Sequence, residues 1–321
     1  MYDFSKTRIH CSAISNIMAS KRVKTPMQLF REAVAEMEKK NQMFEKLKKK
    51  DGPRGEKLLE DIEELFILIP KLEAIKDAEE PLSDGCKTFL TGVYASEKYG
   101  KWSISKDIGS RETQKGKEVE EEAITLVCRL DKILIEKNNI RIENNWFSGH
   151  PDCIEGENIY SAEKIHDVKS PWDAETFFAN LSKPLSMNYY WQMQGYMDLT
   201  DAPVAEVHFC LINTPERFVM DAAKAAMRSQ NFLSDESPEY KEAEKEIINN
   251  MNFDSIPHTE RRIKFIVERN DDDIILARKR VEKCREWLTE LQNLHLNFDF
   301  TATTRKFDVN HTYEPERTTS E

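Results

Sequence analysis

From Pro26 to about residue 76, apolar residues recur every three or four positions in a charged background. Met27, Leu29, Phe30, Ala33, Val34 and Met37 mark one stretch, and Leu58, Leu59, Ile62, Leu65, Phe66 and Ile69 the next. That period is the one-sided stripe of an amphipathic helix. Asp51-Gly52-Pro53-Arg54-Gly55 interrupts it, so the region predicts an αα-hairpin. Ile9, Ile14, Ile17 and Met18 keep helical spacing and predict a short leading helix with Ser12 as candidate N-cap. Further helices are predicted over 83–100 (Phe89, Leu90, Val93, Tyr94), 115–136 (Val119, Ala123, Leu126, Val127, Leu130, Ile133), 189–199, 214–250 and 271–296.

Between these helices the pattern shortens. Ile140-Arg141-Ile142-Glu143, Pro151-Asp152-Cys153-Ile154 and Ile165-His166-Asp167-Val168 read as short strands, with Asn144-Asn145 and Glu155-Gly156-Glu157-Asn158 as turns. Val204 to Ile212 reads as a buried strand, and the alternation from Arg262 to Glu268 as an edge strand. The order α-β-β-β-α-β over 115–213 predicts an α/β fold with a mixed central sheet flanked by helices. The chain divides into a lead (1–25), an inserted helical hairpin (26–82), a main domain with C-terminal helices (83–300) and a polar, Thr-rich tail (301–321) expected to be disordered.

With 39% apolar and 33% charged residues, the 321-residue chain is expected to be a soluble, charge-rich globular protein with a proper core. No run approaches the roughly 18 apolar residues of a membrane span, and the opening residues lack the apolar stretch of a signal peptide. A cytoplasmic location is the default expectation. The six cysteines are at least 25 residues apart, which excludes a local zinc knuckle or Cys-x-x-Cys pair; reduced, mostly buried thiols are expected. The net charge of −11 argues against non-specific nucleic-acid binding, but it is uneven. Residues 1–50 carry 12 Lys+Arg against 5 Asp+Glu, which leaves −18 for the remainder. A local basic groove beside clustered acids remains compatible with a DNA substrate.

The candidate chemistry lies between Gly116 and Tyr196. Gly116-Lys117-Glu118-Val119-Glu120, Gly149-His150-Pro151-Asp152, Asp167-Val168-Lys169 and Gln192-Met193-Gln194-Gly195-Tyr196 follow in order. Asp-x-Lys alone says little: 58 acids and 30 lysines give roughly five such triplets by chance. Its strand-like setting says more, because a strand sends Asp167 and Lys169 to one face, where Asp152 can meet them. Glu120 opens a helix within a run of four glutamates in five residues, a setting the helix dipole favours in any case. Gln192 and Tyr196 lie one helical turn apart. Two carboxylates, a lysine and a further acid form the set a metal-dependent phosphodiester hydrolase needs. His150 and His166 read as neighbours of such a site or as structural, because Mg²⁺ prefers oxygen.

In this order and spacing the set, with Lys169-Ser170-Pro171, resembles the PD-(D/E)XK nuclease superfamily, and within it the YqaJ-type viral recombinases of the phage lambda exonuclease group. Ile9-His10-Cys11-Ser12-Ala13-Ile14-Ser15-Asn16-Ile17-Met18-Ala19 looks like that group's opening helix. The resemblance implies a restriction-endonuclease-like core and Mg²⁺-dependent (or Mn²⁺-dependent) exonuclease activity on linear double-stranded DNA, 5′ to 3′, with two ions. It implies Asp152, Asp167 and the Val168 carbonyl as metal ligands, Glu120 at a second metal or the attacking water, and Lys169 orienting or deprotonating that water. Gln192 and Tyr196 match the RecB-like branch and Gln194 the lambda-like branch, steadying the site or the DNA. Ser12 and Arg22 fall in a pocket for the 5′-phosphate, with Lys6 and Arg8 as basic candidates beside it. A homo-oligomeric ring and a single-strand annealing protein as partner are further implications. The rival readings are a RecB-like or CRISPR-adaptation-like nuclease acting on single strands, and a catalytically silent DNA-end-binding protein.

Overall fold

The computed structural model describes residues 2–18, 26–47, 52–75, 81–101, 110–229 and 237–300. The helices in chain order are α1 (Ile14–Met18), α2 (Pro26–Glu45), α3 (Pro53–Ile75), α4 (Asp84–Tyr99), α5 (Arg111–Glu118), α6 (Glu120–Asp131), α7 (Ala174–Phe178), α8 (Met187–Thr200), α9 (Glu216–Ser229), α10 (Pro238–Asn250) and α11 (Asp271–Leu296). The strands are β1 (Ile9–His10), β2 (Ile142–Glu143), β3 (Phe147–Gly149), β4 (Cys153–Glu155), β5 (Lys164–Lys169), β6 (Val204–Cys210) and β7 (Arg262–Glu268).

A four-stranded mixed sheet in the order β4-β5-β6-β7 forms the centre. β5 and β6 run parallel, and β4 and β7 flank them antiparallel. A parallel pair needs a crossover, and α8 lies in the one that joins β5 to β6. Alternation along β5 sends Ile165, Asp167 and Lys169 to one face and His166 and Val168 to the other; β6 matches with Ala205, Val207 and Phe209 against Glu206, His208 and Cys210. The first face packs with Met193, Tyr196 and Met197 of α8 into the main core, which also holds Phe4, Ile9, Ile14, Leu90, Phe147 and Leu288. On the second, Val168, Cys153 and Cys210 meet Val119, Ala123, Ile124 and Val127 at α6. Both faces are covered, so the strands carry apolar residues on each side. The α2–α3 hairpin closes on its own cluster of Ala33, Leu65 and Leu72.

The expected mixed sheet flanked by helices is therefore present, but three local expectations need correction. Ile9–His10 is a strand paired parallel with Phe147–Ser148, in a second sheet ordered β1-β3-β2. The side chain of His10, not Ser12, accepts the capping hydrogen bond, from the Ser12 amide. The single helix expected over 115–136 is two, broken at Val119 and ended at Asp131 by Lys132 in the left-handed conformation (φ 57°). The break separates a polar helix, whose buried side chain is Lys115, from one whose apolar stripe faces the sheet. The expected helix over 214–250 is α9 and α10, the latter started by Ser237 as cap and Pro238 in the first turn. Arg22 and the tail at 301–321 lie outside the described residues. Among those described, no helix is long and apolar enough to cross a membrane.

Gly149 is where the small sheet meets α8: a Cβ there would stand 2.6 Å from Tyr196 Cε1 and 2.9 Å from Cys11 Sγ. An aromatic ring locked by packing cannot give way cheaply. Gly149→Ala is expected to destabilise the protein by about 1–3 kcal/mol through overpacking, read as a lower urea midpoint at unchanged m-value.

Candidate active site

Asp152 stands immediately before β4, and the antiparallel register of β4 with β5 sets it opposite Asp167. Lys169, two residues along the same face of β5, lies with its ammonium 2.6 Å from Asp167 Oδ2 and 3.8 Å from Asp152 Oδ2. Asp167 is fully buried, whereas the side chains of Asp152 and Lys169 keep 20% and 25% exposure, so the group opens to solvent through those two. Asp152 Oδ2 accepts the Val168 amide at 2.8 Å. From α8, Gln192 Nε2 reaches Asp167 Oδ1 at 3.4 Å and Tyr196 OH at 3.1 Å, and that phenol donates to the His150 carbonyl at 3.1 Å. One helical turn on α8 thus ties the bottom of β5 to the turn ahead of Asp152.

The electrostatics follow from crowding charges out of water. Burial, then the neighbouring Asp167, push the Asp152 carboxyl up to about 6, against the pull of Lys169. Burial by itself would lower the Lys169 ammonium, but Asp167 and Asp152 outweigh it and hold it above its ordinary value. Burial, then Asp167, push the Tyr196 phenol up, so it is a neutral donor. Asp167 Oδ2 is fully enclosed, and its partner is the Lys169 ammonium at 2.6 Å. Two carboxylates sharing one ammonium, one of them enclosed, leave a negative charge unmatched, a donor set suited to a hard divalent cation.

Glu120, in the first turn of α6, pairs with Lys137 at 2.8 Å and holds that lysine above its ordinary value, with Glu121 and then Asp152 adding to it. The structure therefore brings Asp152, Asp167, Val168, Lys169, Gln192 and Tyr196 together, with Glu120 alongside. Gln194 goes elsewhere. It is buried between the Glu268 carbonyl, which accepts at 2.8 Å, and the Asn270 amide, which donates at 2.9 Å, so it fastens α8 to the start of α11 and has no free group to offer a ligand. Arg8 is engaged by the Asn144 carbonyl and Glu143, and Lys6 faces Asp3 at the surface. Ser12 is exposed, 2.8 Å from His10 Nδ1.

Sequence reasoning missed four supports. Asn138, buried, donates through Nδ2 to the Pro151 carbonyl and through its backbone amide to the Asp152 carbonyl, pinning the aspartate turn. Lys115 is fully buried and donates to the Pro171 and Trp172 carbonyls at 2.8 and 2.9 Å, holding the segment that follows Lys169; burial pulls its ammonium down to about 8. Lys137 neutralises Glu120. Arg141 bonds Ser148 Oγ at 3.2 Å and, like His150, acts electrostatically on His10. None sits at a spacing that a motif would mark; each acts from a neighbouring loop or helix.

No protein-family model matches the sequence, and no curated protein matches it. Solved structures do. A phage-related exonuclease from Haemophilus somnus 129PT is similar at a TM-score of 0.57 and 22% identity, over 90% of this chain and 97% of that one. An alkaline exonuclease from Laribacter hongkongensis is a more distant likeness, at a TM-score of 0.45 and 15% identity over 68% of this chain and 87% of that one. The chain shares the mixed α/β fold of the first.

Holding Asp152 as a buried carboxylate has a stability consequence. The cost is fully present above about pH 6 and fades as the pH falls through the unfolded value near 4, below which the group is protonated in both states. In EDTA, Asp152→Asn is expected to stabilise the protein by roughly 1–3 kcal/mol at pH 8 and to bring little gain at pH 4. Denaturant titrations at both pH values measure this; an equal effect at both would remove the electrostatic account.

Proposed function

We propose that this protein is a divalent-metal-dependent deoxyribonuclease, an exonuclease degrading one strand of linear double-stranded DNA from a 5′ end. The observation that carries the reading is the enclosed Asp167–Lys169 pair facing Asp152 on a fold like that of a phage-related exonuclease. Asp152, Asp167 and the Val168 carbonyl would hold Mg²⁺ or Mn²⁺, with Glu120 at a second ion. When bound, such an ion lowers the pKa of a coordinated water and neutralises charge developing on the phosphoryl oxygens.

Lys169 is kept protonated by its two carboxylates, which supports a role as a fixed positive donor to the attacking water or a phosphoryl oxygen over a role as a base. Gln192 and Tyr196 steady Asp167 and the His150 turn. The exposed strip of Ser12, His150 and Arg141, in which His150 acts electrostatically on both His10 and Asp152, is a reasonable receptor for the phosphates of the digested strand; Arg22, Arg8 and Lys6 are the further basic candidates from the sequence. A guanidinium fork matches two phosphate oxygens. The same proposal includes residues 26–82 as an insertion, a homo-oligomeric ring around DNA and a single-strand annealing protein as partner.

Linear duplex DNA with 5′-phosphate or 5′-hydroxyl ends and a closed circle, each incubated with Mg²⁺ and with Mn²⁺, test it. One strand should be lost from phosphorylated ends while the circle survives. Cleavage of the circle or of single strands would replace this reading by an endonuclease or RecB-like one, and absence of cleavage with either metal by a silent end-binding protein. Lys169→Ala should lower turnover by at least about 10²–10³-fold while keeping the circular-dichroism spectrum of the folded protein.

A further inference from the structure

Behind the carboxylates, on the opposite face of the same two strands, His166, Glu206 and His208 meet. His166 on β5 lies beside Glu206 on β6, and Val168 beside His208, so all three project toward α6 and away from Asp167 and Lys169. None is more than 6% exposed. We propose that these three side chains bind a transition-metal ion of the zinc class, distinct in chemistry and place from the hard-cation site proposed above.

Three observations carry this. First, His166 Nδ1, His208 Nε2 and Glu206 Oε2 form a triangle with sides of 3.1, 3.4 and 3.5 Å. A tetrahedral ion with bonds of roughly 2.0–2.1 Å sets its ligand atoms about 3.3–3.4 Å apart, so the triangle has the size of one tetrahedral face. Second, His166 Nε2 lies 2.6 Å from Glu155 Oε1. A carboxylate accepts, so that nitrogen carries the proton, and Nδ1 presents a bare lone pair to the triangle. This carboxylate–histidine arrangement is the one that orients metal-bound imidazoles. Third, His208 Nε2 faces both other corners of the triangle, while its Nδ1 is buried with no hydrogen-bond partner; without metal the ring proton therefore sits on Nε2 between two acceptors, and ligation through Nε2 moves it to Nδ1.

The surrounding charges can accommodate the ion. Lys164 lies 3.4 Å from Glu206 and 3.4 Å from Glu155, and Lys264 lies 3.5 Å from Glu206 and 3.3 Å from Asp131. With Glu206 Oε2 bound to metal, each lysine keeps a second carboxylate. Two imidazoles and one carboxylate suit Zn²⁺, Co²⁺ or Ni²⁺ rather than Mg²⁺. Such an ion would cross-link β5 to β6, the strands that carry the active-site face, and its role here is to hold that register.

The test uses the full chain carrying Asp152→Asn, which weakens the active-site donor set, stripped with EDTA and titrated with Zn²⁺ alone and with Co²⁺ alone. One equivalent should bind, raise the melting temperature, and give with Co²⁺ the intense visible absorption of a tetrahedral imidazole site. Adding His208→Gln or Glu206→Gln should weaken binding by more than about 100-fold. Absence of uptake, a pale octahedral cobalt spectrum, or affinity unchanged in both variants would overturn the site. If either variant fails to fold, the cobalt spectrum of the parent decides alone. DNA digestion does not enter the readout, so failure here leaves the nuclease reading untouched.

Discussion

Two carboxylates and one ammonium are crowded together at the edge of a four-stranded sheet, with one of the carboxylates entirely out of water. Unpaired, a buried charge of this kind is costly, and two carboxylates share one ammonium, so one negative charge is left uncompensated. The surrounding architecture is organised against that cost. β5 places Asp167 and Lys169 on one face, the antiparallel neighbour brings Asp152 opposite, and the Val168 amide and Gln192 supply donors. What remains unmatched is charge, two carboxylates against one ammonium, and the metal reading assigns the balance to an ion.

The supports outside the strands act at one remove. Asn138 pins the turn ahead of Asp152, Lys115 fixes the chain leaving Lys169, and Tyr196 ties α8 to the His150 carbonyl while its ring fills the space that Gly149 leaves open. Each holds backbone rather than a ligand. A site built this way keeps its geometry because the segments carrying it cannot slide, which is what preorganisation requires of a centre that stabilises developing charge.

Much of this was legible in the chain. The period of the α2–α3 stripe, the apolar run of β6, the alternation of β7 and the whole of α11 follow from spacing, and the order of Asp152, Asp167 and Lys169 marked the face they share. The remainder depended on tertiary context. Ile9–His10 is too short for its extended state to show in a pattern and becomes a strand because Phe147–Ser148 is there to pair with it. Gln194 matches a motif by spacing, yet the close approach of α8 to the β7–α11 junction turns it into a buried fastener. His166 is adjacent to Asp167 in sequence, and an imidazole suits Mg²⁺ poorly. Its partners Glu206 and His208, some forty residues away, are disclosed by the parallel register.

The central claim is that Asp152 and Asp167 form a divalent-cation site. Calorimetric titration of Mn²⁺ into the EDTA-treated protein and into Asp167→Asn, both at pH 8, tests it most directly. The account predicts saturable uptake by the parent chain and its loss in Asp167→Asn. Equal uptake by the two, or none by either, would contradict it.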